Sequence, residues 1–161
     1  MAGFDVTFKM GDDFEDFTIL DLREKGFPNA YKNIIKDNFC FYDIILPDIE
    51  KTLECKFDAK GLESGNICVE TGCNGRLSGI LDTKAEYWLF SDSVTSYLIE
   101  YTQIRKCINE NPNLDYRRNH AVDQEDGSTK DMNFYLIPKR IFIPYCCEVA
   151  GINEMKYNKL I

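Results

Sequence analysis

The sequence predicts an α/β fold, and three observations carry that prediction: an amphipathic stretch opening near Asp12, a β-hairpin signature around Pro47, and mixed strand-like and helix-like stretches after it. A single domain suffices for 161 residues, and a hydrophobic share of 44% with eleven Phe and nine Tyr can bury a real core. No repeat or low-complexity linker divides the chain.

Asp12 or Asp13 can cap a helix running to about Lys25, with Phe14, Phe17 and Leu20 on one stripe and Gly26 then Pro28 marking its end. Residues 30–36 fit either state. Residues 39–46 and 52–57 form a hairpin, since the first run is apolar and β-branched and Pro47-Asp48 signals a turn. Residues 66–70 read as a third strand after a Gly-containing loop, and Gly72-Cys73-Asn74-Gly75 as a turn. Residues 78–86 read as loop with one helical turn. Residues 87–90 and 95–100 form another hairpin around Ser91-Asp92, and Thr102 caps a helix to about Asn109, closed by Asn-Pro. The polar stretch 111–131 reads as a mobile loop. Residues 133–137 and 140–145 return to strand-like character on either side of Pro138.

The first hairpin concentrates the chemistry. Strand side chains alternate faces, so Glu54 and Lys56 share one face and Cys55 takes the other. With Asp43 across from them, two carboxylates can hold a hard divalent cation through oxygen, while the ammonium supplies a point charge beside a phosphate or acts on the attacking water.

Asp43, ten intervening residues and Glu54-Cys55-Lys56 resemble the D…ExK core of the PD-(D/E)XK nuclease superfamily. Downstream, Asp58, Gly65-Asn66-Ile67-Cys68-Val69-Glu70, Ser78-Gly79-Ile80, Thr83 and Ala85-Glu86-Tyr87-Trp88 are similar to the run "E-x-K-x-D … G-N-h-x-h-E … S-G-h … T-x-A-[DE]-Y" (h is apolar) of small phage-type and virus-type members. Together these motifs cover positions 39–90, and Tyr42 stands where the name-giving proline would be. The resemblance implies a restriction-endonuclease-like core, a mixed β-sheet flanked by helices. It implies a nuclease that uses Mg²⁺ or Mn²⁺ to hydrolyse phosphodiester bonds in DNA, encoded by a virus or phage and acting inside the host cell. Asp43 and Glu54 would bind the metal, Lys56 would stabilise charge or orient the nucleophile, and Glu70 would assist. Asp58 could serve a second metal or begin a loop, and Glu15 and Glu24 lie on the opening helix, from which related nucleases contribute an acid.

Each residue also has a bland reading. A charged strand residue commonly faces solvent, Ser78 and Thr83 can simply cap turns, and Tyr87 and Trp88 can be core rather than platforms for a base. The formal net charge of −8 opposes nucleic-acid binding unless cations gather on one face or a protein partner brings the substrate. Candidate cations include the adjacent pairs Arg117-Arg118 and Lys139-Arg140. Two other classes therefore stand beside the nuclease: a catalytically idle binding or assembly module of the same fold, and an acidic mimic of nucleic acid that inhibits a basic partner.

Seven cysteines without a C-x-x-C pair indicate neither a disulfide framework nor a zinc knuckle, and the one histidine, His120, lacks a partner pattern for nucleophilic catalysis. No apolar run approaches the ~20 residues of a membrane span and no signal peptide is evident, so the expectation is a soluble, intracellular protein without a membrane partner.

Overall fold

The computed structural model describes residues 3–35, 42–122 and 127–161. In chain order the elements are α1 (Gly3–Glu24), β1 (Tyr31–Lys32), β2 (Ile44–Leu46), β3 (Lys51–Phe57), α2 (Lys60–Ser64), β4 (Asn66–Cys73), β5 (Arg76–Leu77), β6 (Tyr87–Ser91), β7 (Thr95–Glu100), α3 (Tyr101–Glu110), β8 (Asp115–Val122), β9 (Thr129–Pro138), α4 (Lys139–Phe142) and β10 (Glu148–Gly151). The architecture is mixed α/β. A six-stranded sheet runs β1-β2-β3-β6-β7-β10, and a four-stranded antiparallel sheet runs β5-β4-β9-β8. The larger sheet is mixed because β3 and β6 pair in parallel while its other neighbours are antiparallel. The crossover between β3 and β6 carries α2, β4 and β5, so the excursion that links the two parallel strands also supplies half of the second sheet.

Two apolar clusters form the interior. Leu53, Cys55 and Leu89 pack with Phe14 and Leu22 of α1 and with Met155 and Tyr157 near the end of the chain. Trp88, Phe90 and Ile99 pack with Val69 of β4, Ile137 of β9, Ile104 of α3 and Phe142 of α4. Strand β6 is buried along its whole length because its alternate side chains enter the two clusters in turn. Strand β3 lies beside it with Leu53 and Cys55 in the first cluster, which turns Glu54 and Lys56 toward the side of Trp88 and Phe90.

Several sequence expectations change. Helix α1 starts well before Asp12, and Leu20 is 60% exposed; Thr18, Ile19 and Leu22 instead accompany Phe14 inward. The ambiguous residues 30–36 include the short strand β1, and positions 39–41 of the expected first hairpin strand lie outside the described residues. The polar stretch 111–131 is no loop: β8 and the start of β9 occupy much of it, and their ladder pairs every residue of β8 with a residue of β9. The stretch 140–145 is helical, as α4 followed by a 3₁₀ turn, because Pro138 stands just before the first turn of α4 and Pro144 lies within the 3₁₀ turn, positions where a missing N–H costs nothing. The hairpin 87–100 and a helix near 102–109 stand where the sequence puts them, but the helix opens at Tyr101 with Glu100 rather than Thr102 at its N-cap, and the third strand runs on through Gly72 and Cys73, which leaves only Asn74 and Gly75 of the expected turn. Among the described residues no helix is long and apolar enough to cross a membrane.

Candidate active site

The β2–β3 hairpin assembles the three residues singled out in the sequence. Asp43 sits just ahead of β2, where its N–H donates to the Leu53 carbonyl at 3.0 Å and its carbonyl accepts the Asn33 N–H at 2.7 Å. Its side chain turns toward β3, and Oδ2 accepts the backbone N–H of Cys55 at 2.8 Å. This carboxylate is thus anchored on the residue between Glu54 and Lys56. Glu54 is nearly enclosed, its side chain 13% exposed, and its Oε1 pairs with Lys56 Nζ at 2.6 Å. The Lys56 ammonium also lies 5.7 Å from the centre of the Trp88 ring.

Electrostatics tie a wider set to these three. Burial, then the nearby charges of Asp43 and Glu15, push the Glu54 carboxyl up to about 7 against the pull of Lys56. Burial and Asp43 likewise raise Glu15 of α1, with Lys32 opposing. Desolvation draws the Lys56 ammonium down, yet Glu54, Asp43 and Glu70 outweigh it and hold its proton more firmly than in free lysine. The two shifts have different leading causes: burial raises the Glu54 carboxyl, and the neighbouring carboxylates raise the Lys56 ammonium. Glu54 therefore holds a proton more readily than a free carboxyl, and the Lys56 ammonium stays charged.

Glu15 reaches this field because Lys32 of β1 holds it at 3.2 Å while also pairing with Asp12, and with Asp16 at 3.3 Å. Sequence analysis missed this anchor, since Lys32 stands in a stretch with no clear pattern. Glu24 is exposed at the far end of α1, nine residues and about 13 Å along the axis from Glu15, too distant to join.

Glu70 of β4 is fixed from behind. The Ser78 hydroxyl donates to its Oε1, and Gly79, at φ +54°, lies so near that a Cβ there would stand 2.3 Å from the Glu70 carbonyl oxygen. Only glycine fits this approach. Asp58 plays a local part: its N–H donates to the Ser91 carbonyl at 2.9 Å and its Oδ1 accepts the Lys60 N–H at 3.0 Å at the start of α2. It also lines, with Lys56, Cys68 and Asp92, a cavity of about 30 Å³, room for a water molecule. Thr83 caps a turn by accepting the Ala85 N–H at 3.0 Å, and Tyr87 and Trp88 are buried core residues, closed to a nucleobase.

Of the two adjacent basic pairs, Arg117, Arg118 and Lys139 stand in ion pairs. Arg117 and Arg118 project from β8 and pair with Asp115 and Asp131 at 2.7 and 2.9 Å, and His120 also pairs with Asp131. Lys139 is committed to Asp92 in a nearly buried pair that Tyr97 joins through its hydroxyl. A cleft of about 390 Å³ lies at the other end of β3 around Lys51, Glu86 and Tyr101, some 16 Å along the strand from Lys56. It shares no residue with the hairpin acids.

Hard carboxylate oxygens are the right donors for a magnesium-type ion, and two such groups with water and substrate oxygens are an ordinary set for it. Asp43 and Glu54 meet that description. Among the described residues no group of three or more His, Cys, Asp or Glu side chains is gathered to hold a metal ion, so the pair is not a closed protein cage. Burial pushes the thiols of Cys55 and Cys68 up, that of Cys68 to about 11, so neither is a thiolate nucleophile near neutral pH. Comparison with family models, with curated proteins and with solved structures finds no match for the chain.

Proposed function

We propose that the protein is a Mg²⁺-dependent or Mn²⁺-dependent nuclease of the PD-(D/E)XK type that hydrolyses phosphodiester bonds in DNA. The observation that carries the reading is the pair of carboxylates brought to one hairpin: Asp43, fixed on the Cys55 amide, and the enclosed Glu54, which feel one another's charge and share the Lys56 ammonium, while Glu15 adds its charge from α1 with Lys32 as its own partner. A divalent ion is the counter-charge such a group favours, and when bound it supplies an activated water and neutralises charge on the phosphate.

The chain's own residues have separable tasks. The Cys55 amide holds Asp43 in one orientation, so that ligand needs no reorganisation. Glu54 would leave its ion pair with Lys56 to serve as the second ligand. Lys56 then faces the reacting phosphate, where its fixed positive charge offsets the negative charge that builds on the non-bridging oxygens. Glu70, clamped by Ser78 and Gly79, would assist by adding to the charge that favours the protonated ammonium after Glu54 and Asp43.

A second reading, a catalytically idle module of the same fold, draws on the closed Glu54–Lys56 pair and the lack of a gathered three-ligand group among the described residues. Cleavage of single-stranded, duplex and branched DNA, with and without Mn²⁺, separates the two. The nuclease reading expects Mn²⁺-dependent cleavage that disappears in Asp43→Ala and in Glu54→Gln. Cleavage that survives both substitutions overturns the assignment of this site, and no cleavage of any substrate favours the idle module.

A further inference from the structure

We propose that Trp88 is the positioning residue for Lys56, its ring holding the ammonium at the site when Glu54 turns to other work. The inference rests on the nuclease reading only for its catalytic consequence. Its geometry stands alone.

The only tryptophan of the chain lies opposite Glu54 in the parallel ladder between β3 and β6, so its ring rises on the face that carries Glu54 and Lys56. Lys56 Nζ stands 5.7 Å from the ring centre, within the range over which a cation is drawn to an aromatic face. Two attractions therefore converge on one ammonium, the carboxylate at 2.6 Å and the indole. Once Glu54 turns away from the ammonium, the first of these is lost. The Lys56 side chain is 40% exposed, and its flexible stem gains entropy when it is free to turn away. Asp43 and Glu70 still attract it through charge, and the ring is the contact that holds it in place.

A second feature separates this role from bulk packing. Trp88 is 1% exposed and its indole N–H is buried without a hydrogen-bond partner among the described residues. An unpaired buried donor destabilises the fold, and phenylalanine would fill much of the space without it. The indole has the strongest π face of the aromatic side chains, the property a cation-holding ring requires. Phe90, its neighbour along the strand, stacks on Trp88 with ring centres 5.7 Å apart, and Phe142 meets Phe90 edge-on at 5.4 Å, so the indole is braced from behind and its orientation is fixed.

The test uses the metal-free full chain with ¹³C-labelled lysine, the Lys56 signals being assigned by their loss in Lys56→Met. A ring beneath the ammonium shifts the Lys56 ε-methylene protons upfield. We expect that shift in the parent, its persistence in Glu54→Gln, where the charge of the ion pair is gone, and its disappearance in Trp88→Leu. Trp88→Phe, the safer variant for folding, should keep part of it. Loss of the shift in Glu54→Gln, or its absence from the parent, overturns the proposal, because the carboxylate alone would then place the lysine. Single-turnover cleavage at saturating Mn²⁺ supplies the second arm. Trp88→Leu should lose about tenfold in kcat with KM unchanged, and Trp88→Phe should recover most of that loss, whereas equal losses in both or a change confined to KM count against positioning. If the parent cleaves no DNA, the nuclease reading has failed, and the shift in Glu54→Gln still decides the role of Trp88.

Discussion

Asp43 Oδ2 accepts the backbone N–H of Cys55 at 2.8 Å, so a carboxylate just outside β2 is tied to the one residue of β3 that separates Glu54 from Lys56. The bond orients Asp43 and occupies an amide at the end of the β2–β3 ladder, which stops at Ile44 and Leu53. Structure and proposed chemistry therefore meet in a single hydrogen bond.

Asp43→Ala should leave the Cys55 amide without its partner and cost about 1–3 kcal/mol of stability, whereas Asp43→Asn keeps an acceptor oxygen and should cost less. Both variants should lose the thermal stabilisation that Mg²⁺ gives the parent, because both remove the charge. Urea unfolding beside thermal melts with and without Mg²⁺ checks this, and a metal-induced shift that survives in Asp43→Ala would falsify the ligand role.

The Glu54 carboxyl predicts a pH dependence with a definite sign. Its folded value, about 7, lies above the ordinary 4.5, so between these values the folded chain binds more protons than the unfolded one. Stability of the metal-free protein should fall as pH rises through that window, by something on the order of 1–3 kcal/mol, and Glu54→Gln should flatten the slope. The Mg²⁺-induced rise in Tm should grow over the same interval, since the ion competes with the proton. A metal effect constant from about pH 5 to about pH 8 would place the ligand elsewhere.

Lys56→Ala should leave metal affinity unchanged or slightly improved, because a positive charge beside the cation is gone. Its cleavage rate should drop by ~10²–10³-fold, the usual loss of one group aimed at charge in the transition state. Metal titration and single-turnover cleavage on the same sample decide it. A rate equal to the parent's removes Lys56 from the chemistry.

Gly79→Ala should be among the most damaging single changes outside the core. At φ +54° the added methyl meets the Glu70 carbonyl oxygen at 2.3 Å, so β4 or the 3₁₀ turn must shift, at a cost of roughly 2–4 kcal/mol. Ser78→Ala removes only the hydroxyl bond to Glu70 and should cost about 1 kcal/mol. Chemical denaturation of the two variants measures both, and a Gly79→Ala protein as stable as the parent would show that the close approach to Glu70 relaxes freely.

By itself the sequence determined the elements whose pattern is local. Ile44, Ile45 and Leu46 ahead of Pro47 make a strand wherever they pack, the turn residues Asn74 and Gly75 accept positive φ, and alternation along β3 sends Glu54 and Lys56 to one face. The candidate site was legible for that reason: Asp43, Glu54 and Lys56 lie within fourteen residues of one another on a single hairpin. Only the tertiary structure decided the rest. Strand β8 is polar and exposed, so no hydrophobic period marks it, and the ladder to β9 is what makes it a strand. Lys32 meets Glu15 across seventeen residues and Lys139 meets Asp92 across forty-seven, partners that no local spacing encodes. Trp88 became more than an apolar residue of β6 because parallel pairing set it opposite Glu54, thirty-four positions away. Contacts of that range are chosen by how whole elements pack, where burial of Leu53, Leu89 and Phe90 outweighs any preference of the single residues they carry beside them.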